Sequence, residues 1–330
     1  MMRDEALIEV TRGDLVECVH RGSVVVCDGS GQIVAAWGEP GAIVYARSAF
    51  KMMQALPLVE SGAADAHGLA PQHLALACSS HMAGRYHTDP IGDWLGSLGL
   101  DDAAFRCGAQ TPGDRAARDA LIRAGGKPCQ IHNNCSGKHT GFLTLGKHLG
   151  AGAEYIDPDH PVQLAVRTAL EEVTEETSPG YGIDGCSAPN FAFTLHGLAR
   201  AAAGFATAHE RNDTRSQAAR RLVEVMMAHP ELVSGHDKPC TELMRLAGGK
   251  AAIKGGADGA YIGILPEAGL GIAMKMSDGA ERGRDVAMAC LLERFGVLPV
   301  GAATSQWTRP QVRNWNGIIT GDIRPTAAFA

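Results

Sequence analysis

The stretch Ile43-Val44-Tyr45-Ala46-Arg47-Ser48-Ala49-Phe50-Lys51-Met52-Met53-Gln54 is where the chain changes its period. Before it, β-rich runs at Leu7 to Val10, Val16 to His20, Ser23 to Cys27 and Ile33 to Trp37 are separated by glycine-containing turns. Asp28-Gly29-Ser30-Gly31 between two of them reads as a hairpin. From Ser48 to Ser61 the pattern turns helical, with Phe50, Met53 and Leu56 on one buried side and Gly62 ending it. Helical spacing continues through 71–77, 89–98, 114–123, 138–149, 161–175, 191–203, 215–227 and 238–246. Strand character returns at 251–254, 261–265 and 270–276, followed by a helix over 280–295. Strands at both chain ends with helices between them predict an α/β fold. The antiparallel sheet lobe is expected over about 1–60 and 250–300, and a mostly helical inserted lobe over about 61–249, together one domain spanning 1–330. The tail after Val300 is polar and contains tryptophan, and its place is not read from the sequence.

Composition narrows the function classes. Of 330 residues, 45% are hydrophobic and 20% charged, which is ordinary for a globular enzyme. A formal charge of −6 with no basic run disfavours a nucleic-acid partner, since phosphate binding needs concentrated Lys and Arg. No apolar stretch approaches the ~20 residues that cross a bilayer, so no membrane partner is expected. The opening Met1-Met2-Arg3-Asp4-Glu5 carries acids where a leader would turn apolar. The nine cysteines form no paired framework and read as reduced thiols, so a cytoplasmic location is expected.

The chemistry centres on Ser48-Ala49-Phe50-Lys51, an S-x-x-K. At a helix start, residues i and i+3 lie about 60° apart around the axis, so hydroxyl and amine share a face. A serine hydroxyl needs a base to attack, and a lysine serves only when neutral. A lone S-x-x-K equally describes an N-cap serine beside a solvated lysine. Two further segments change the weighting. Cys78-Ser79-Ser80-His81 follows a short helix and precedes Gly84, and Lys254-Gly255-Gly256 ends a strand with no side chains after its lysine. In that order, Ser-x-x-Lys, a loop serine and Lys-Gly-Gly form the triple of penicillin-recognising serine hydrolases.

Four segments carry a closer resemblance: Arg47 to Ala55, Ala77 to His81, His132-Asn133-Asn134-Cys135-Ser136-Gly137-Lys138-His139 and Gly182-Ile183-Asp184-Gly185-Cys186-Ser187-Ala188-Pro189. Together they resemble the L-asparaginase II family, the class typified by a Rhizobium enzyme and unrelated in fold to the threonine-nucleophile asparaginases. The resemblance covers roughly residues 5 to 325 and implies a β-lactamase/glutaminase-like fold. It implies Ser48 as nucleophile, Lys51 as its base, and Ser80 with Lys254 as a second Ser/Lys pair. It also implies zinc held by Cys135, Lys138 and Cys186 beside Asp184, L-asparagine as the small-molecule substrate, and a homodimer.

Read from the residues, two thiolates are sound zinc ligands but a lysine amine is unusual, because it must first lose a proton. Spacing alone would nominate His132 or His139 as the third ligand. Arg47 could grip an α-carboxylate bidentately or pair with an acid on the surface. Asp184 suits an α-ammonium group or a metal-bound water. The resemblance also implies Cys240 near the substrate, with a packed thiol the alternative, and His81 is a further candidate for substrate contact. Rival functions on the same scaffold are a glutaminase, a β-lactamase-like serine hydrolase, and a non-catalytic module binding zinc or an amino acid.

Overall fold

The first strand pair sets the frame. The computed structural model describes residues 4–330; residues 1–3, at the head of the acidic opening run, lie outside the described residues. Strand β1 (Glu5–Arg12) pairs antiparallel with β2 (Leu15–Asp28), which is long enough to serve two neighbours in turn. Its first half faces β1, and from Gly22 onward it faces a late strand on its other edge. The runs expected separately at Val16 to His20 and Ser23 to Cys27 are therefore one strand, because the glycine falls where β2 changes partners and not at a turn. The hairpin at Asp28 to Gly31 leads into β3 (Ile33–Trp37), and β4 (Ile43–Tyr45) follows.

The chain divides into two compact units. One comprises the chain up to Ala49, Phe193–Thr207 and Leu243–Ala330; the other comprises Phe50–Ala192 and Ala208–Glu242. Later strands are β5 (Tyr181–Ile183), β6 (Pro189–Thr194), β7 (Ala252–Gly255), β8 (Ala260–Leu265), β9 (Leu270–Met276), β10 (Gln311–Arg313) and β11 (Ile319–Pro325). In the first unit an antiparallel sheet runs β10-β11-β1-β2-β9-β8-β7, with β3 also on β2. The tail after Val300 is thus part of the sheet unit: it forms a helix, Ala302–Thr308, and then a hairpin whose β11 closes onto β1. The sheet lobe extends to 325, beyond the expected limit near 300.

Helices cover both faces of this sheet. Gly263 on β8 stands opposite Ile272 on β9, and both look toward Met288 of helix Glu281–Arg294. The adjacent Gly271 looks the other way, onto helix Leu195–Ala206. The expected helix over 191–203 is corrected here. The alternating Asn190-Phe191-Ala192-Phe193 run is strand, and helix begins only after Thr194, whose hydroxyl caps the Gly197 amide at 2.9 Å. That helix packs on the sheet, although the sequence reading had placed it in the helical lobe.

The second unit is helical apart from the β5–β6 hairpin, in which Gly182 faces Asn190. Helix Ser136–His148 is buried along most of its length and packs against Pro71–Ala77 and Arg85–Ser97. The region expected as one helix from Ser48 is broken into a 3-10 turn, Arg47–Phe50, and short helices Lys51–Gln54 and Leu56–Glu60. No helix among the described residues is long and apolar enough to cross a membrane.

Two glycines distinguish packing from helix propensity. A Cβ on Gly271 would stand 2.0 Å from the Ala203 amide nitrogen, whereas one on Gly204 meets nothing within 4 Å. Gly271→Ala should cost roughly 1–3 kcal/mol or more through overpacking. Gly204→Ala should instead be neutral or stabilise by up to about 1 kcal/mol. Urea unfolding midpoints of the two variants check this, and equal shifts would contradict the helix–sheet contact.

Candidate active site

The segment carrying Ser48 is held in a strained conformation within the first unit. Arg47 sits at φ +52°, the left-handed region that a residue with a Cβ adopts at a cost of about 1–2 kcal/mol. Three contacts hold it there. The Arg47 guanidinium donates to Asp258, which is itself left-handed at φ +54°. The Ala49 amide donates to the Ala46 carbonyl at 2.9 Å. Gly256, at the end of β7, lies so close that a Cβ on it would stand 2.6 Å from the Ala46 oxygen and 2.9 Å from the Ala49 nitrogen. Gly256 is fixed in turn by its amide on the Ala260 carbonyl at 2.8 Å and by Arg284, which donates to its carbonyl at 2.7 Å. The Lys-Gly-Gly segment therefore lies against the Ser48 turn because its glycines carry no side chain. Lys254 is 1% exposed and donates to the Gly255 carbonyl at 2.7 Å. Arg47 is engaged by an acid, the alternative weighed for it from sequence.

In the second unit Lys51 is also buried, at 1% exposure. Its Nζ donates to the Ser79 carbonyl, to Ser80 Oγ at 3.0 Å and to Cys135 Sγ at 3.1 Å. Three acceptors match the three donors of an ammonium, so a base role requires one of these bonds to be given up. Sequence placed Ser80 with Lys254; within this unit the structure gives Ser80 a direct bond to Lys51.

His81 adjoins Ser80 but faces inward. Its Nδ1 accepts from the Ala83 amide at 3.1 Å, so the proton lies on Nε2, which donates to Ser136 Oγ at 2.8 Å. Ser136 passes the bond on to the Ile131 carbonyl at 2.9 Å. Burial, with His87 and Lys51 nearby, holds the His81 imidazole well below its ordinary pKa. Both nitrogens of His81, expected from sequence to contact substrate, are engaged internally here. Cys240 is buried in the first turn of helix Pro239–Ala247.

The two thiols and the second lysine converge. Cys135 precedes helix Ser136–His148, and Lys138 sits in its first turn. Cys186 lies in the tight turn of the β5–β6 hairpin, closed by the Ser187 amide on the Asp184 carbonyl at 2.8 Å with Ser187 at φ +69°. Lys138 Nζ lies 3.2 Å from Cys186 Sγ. The neighbouring Cys186 sulfur, with burial adding to it, pushes Cys135 up to about 12, and the Cys135 sulfur draws Cys186 well below the ordinary thiol range; Cys135 Sγ itself donates to Asn134 Oδ1 at 3.1 Å. Burial pulls Lys138 down, but the charges of Cys186, Cys135 and Asp184 outweigh it and its pKa is raised. All three groups are at most 4% exposed. Two sulfurs and a nitrogen in one buried cluster fit a thiophilic divalent cation, whose binding would displace the thiol and ammonium protons. Among the described residues no group of three or more His, Cys, Asp and Glu forms such a site.

The two histidines named as alternative third ligands hold these contacts. His132 Nδ1 accepts from the Cys129 amide at 3.1 Å. His139 Nδ1 bonds the Tyr155 hydroxyl at 2.8 Å. That hydroxyl also accepts from the Arg106 amide at 2.8 Å, and His139 Nε2 is buried with no hydrogen-bond partner among the described residues. Asp184 is oriented by the Gly185 amide at 2.8 Å and by Asn190 Nδ2 at 3.2 Å. Sequence reading passed over Asn190. Its signal was a polar residue one step beyond the Asp184 to Pro189 segment, inside an apolar strand.

The chain matches the model of the L-asparaginase II family over residues 8–325 and belongs to that family. Its fold is similar to the crystal structure of Mglu in its native form, with a TM-score of 0.48 and 15% identity over 86% of this chain. It is also similar to a β-lactamase from Mycobacterium bovis, with a TM-score of 0.45 and 13% identity over 83% of this chain and 94% of that one. The protein spans 66% of the Mglu chain. No curated protein sequence matches it.

The buried histidines of the second unit make its stability depend on pH. Burial lowers His87 to about 4, and His81 is likewise held down, while both return to the ordinary value near 6.5 on unfolding. The unfolded chain therefore binds more protons below about pH 6.5, and stability falls as the solution is acidified toward the folded-state values. Each group contributes up to about 1.4 kcal/mol per pH unit in that window. Urea midpoints should drop between about pH 7.5 and about pH 5. A constant midpoint would mean that these rings protonate freely in the folded protein.

Proposed function

We propose that the protein hydrolyses the side-chain amide of L-asparagine to L-aspartate and ammonia by double displacement on a serine, as a cytoplasmic homodimer. The observation that carries this reading is the buried Lys51 bonded to Ser80, in a chain of the L-asparaginase II family whose S-x-x-K segment supplies Ser48 three residues before that lysine. The Ser48 hydroxyl gives its proton to the Lys51 amine, and its oxygen attacks the amide carbon. Backbone donors, the Ser48 amide among them, stabilise the oxyanion. The C–N bond then breaks, ammonia leaves with a proton relayed by Ser80 and Lys254, and water hydrolyses the aspartyl ester. Arg47 is available to the substrate α-carboxylate, which would displace Asp258 from it.

Cys135, Lys138 and Cys186 would hold zinc. The ion would supply a fixed positive charge beside the substrate. Asp184, oriented by Gly185 and Asn190, presents a carboxylate next to that cluster.

Ammonia release from asparagine, glutamine and a chromogenic β-lactam tests the reading against its rivals, because one methylene separates the two amides and only a small preference follows from it by packing alone. Turnover is expected on asparagine. Ser48→Ala should abolish it while the unfolding midpoint holds, since one hydroxyl contributes little to stability. Lys51→Arg should be nearly inactive, because a guanidinium does not give up its proton in this range. Near wild-type turnover in either variant would remove that residue from its role. Protein purified without chelator should carry about one zinc per chain by elemental analysis. Cys135→Ser should lose the metal. Full activity in metal-free protein, with both thiols open to alkylation, would reduce the cluster to structural cysteines.

A further inference from the structure

Helix Glu281–Arg294 of the first unit meets the Ser48 segment near its start, through Arg284 on the Gly256 carbonyl. Ten residues further along, about 15 Å at the helical rise, its last turn borders a cavity. The cavity holds about 560 Å³, within the roughly 300–1,000 Å³ of small-molecule sites. Leu291, Val300, Pro325 and Phe329 make much of its wall apolar. Three guanidiniums from three elements converge on it: Arg294 from this helix, Arg309 just after helix Ala302–Thr308, and Arg324 from β11. Glu293 is the acidic side chain beside them. Two of the three cations are already neutralised, because Arg309 donates to Asp322 and Arg324 donates to Glu9 at 2.7 Å. Arg294 is held differently. Its guanidinium lies 4.9 Å from the centroid of the Trp37 ring, and its Nη1 donates to the Phe329 and Ala330 backbone oxygens at 3.4 Å each. Those bonds are long for a guanidinium, whose charge-assisted contacts to oxygen run at about 2.7–2.9 Å. Its Nε and Nη2 remain as the planar fork that fits a carboxylate.

We infer that this cavity binds a monocarboxylate with an apolar body, its carboxylate on Arg294 and its body against Leu291, Pro325 and Phe329. The lining selects that class. A wholly apolar ligand would cover the Arg294 guanidinium without supplying an anion, and a desolvated charge is costly until it is paired. A small anion such as acetate would leave the apolar wall in water and forgo the gain from covering it. A more highly charged anion would meet guanidiniums committed to Asp322 and Glu9, and Glu293 would repel it. None of these residues has a part in the amide chemistry proposed for Ser48 and Lys51.

Calorimetry on the full chain with 4-phenylbutanoate as the probe tests the assignment. The acid should bind at least about tenfold more tightly than 4-phenylbutan-1-ol, which has the body without the charge, and than acetate, which has the charge without the body. Arg294→Met keeps an unbranched side chain and removes the cation. It should weaken binding of the acid by about tenfold or more and leave that of the alcohol unchanged. Val300→Trp changes a lining residue that is 83% exposed, so the unfolding midpoint should hold while the larger side chain fills space and weakens both ligands. Wild-type affinity for the acid in either variant would put the anion elsewhere, at Arg47 for instance, and overturn the proposal. Equal affinity of the wild-type protein for acid and alcohol, or no binding of the acid, would overturn it as well.

Discussion

Burying the Lys51 amine is the constraint around which the second unit is arranged. An amine at 1% exposure has lost nearly all its water, a loss of several kcal/mol unless protein acceptors replace it. The replacements come from two distant parts of the chain: the Ser79-Ser80 turn after helix Pro71–Ala77, and Cys135 ahead of helix Ser136–His148. Satisfying one buried amine therefore fixes three segments against each other. It also sets Cys135 in place for Cys186, and through the hairpin turn brings Asp184 and Asn190 to the same cluster. Removing any one acceptor would leave a desolvated amine partly unpaired, which couples the integrity of the fold here to that of the chemistry.

The first unit answers to a different constraint, close approach of backbone to backbone. Arg47 is kept in a left-handed conformation by its ion pair with Asp258 and by Gly256 lying against residues 46 and 49. The strain is local, and the sheet behind it supports it: Arg284, from a helix packed on the sheet, grips the Gly256 carbonyl while stacking on Tyr261. Strain of this kind persists only where surrounding contacts over-determine it. Its occurrence one residue before Ser48 accords with a serine held in a fixed orientation and not on a mobile loop.

The thiol cluster joins the two themes of desolvation and charge. Cys135 and Cys186, with Lys138 beside them, form a charge-compensated set at low exposure. Such a set is stable without a metal and convertible by one, because a cation can take over the compensation that the protons provide. Asp184, oriented by Asn190 and the Gly185 amide, adds its charge to that set.

How much of this was legible in the sequence follows from the range of each interaction. Period and turn chemistry are local, so the strand–helix–strand order, β9, helix Pro71–Ala77 and the hairpin at Asp28 to Gly31 could be read directly. The grouping of Cys135, Lys138 and Cys186 came from the family resemblance of their segments, since spacing alone would have nominated His132 or His139 as the third ligand. Other features depended on partners far along the chain. The fusion of two runs into β2 is decided by β9, and the capture of the C-terminal tail by pairing of β11 with β1. The strand at Pro189–Thr194 owes its conformation to its sheet neighbours, where helical propensity had suggested otherwise. The direction in which a side chain points was the least accessible. His81 and Ser80 are adjacent in sequence, yet one turns to Ser136 and the other to Lys51. Asn190 was only a polar residue in an apolar run until Asp184 folded against it. Local sequence determined which segments form and which chemical groups they carry; tertiary packing alone decided which groups are desolvated together, and that is what gives them their chemistry.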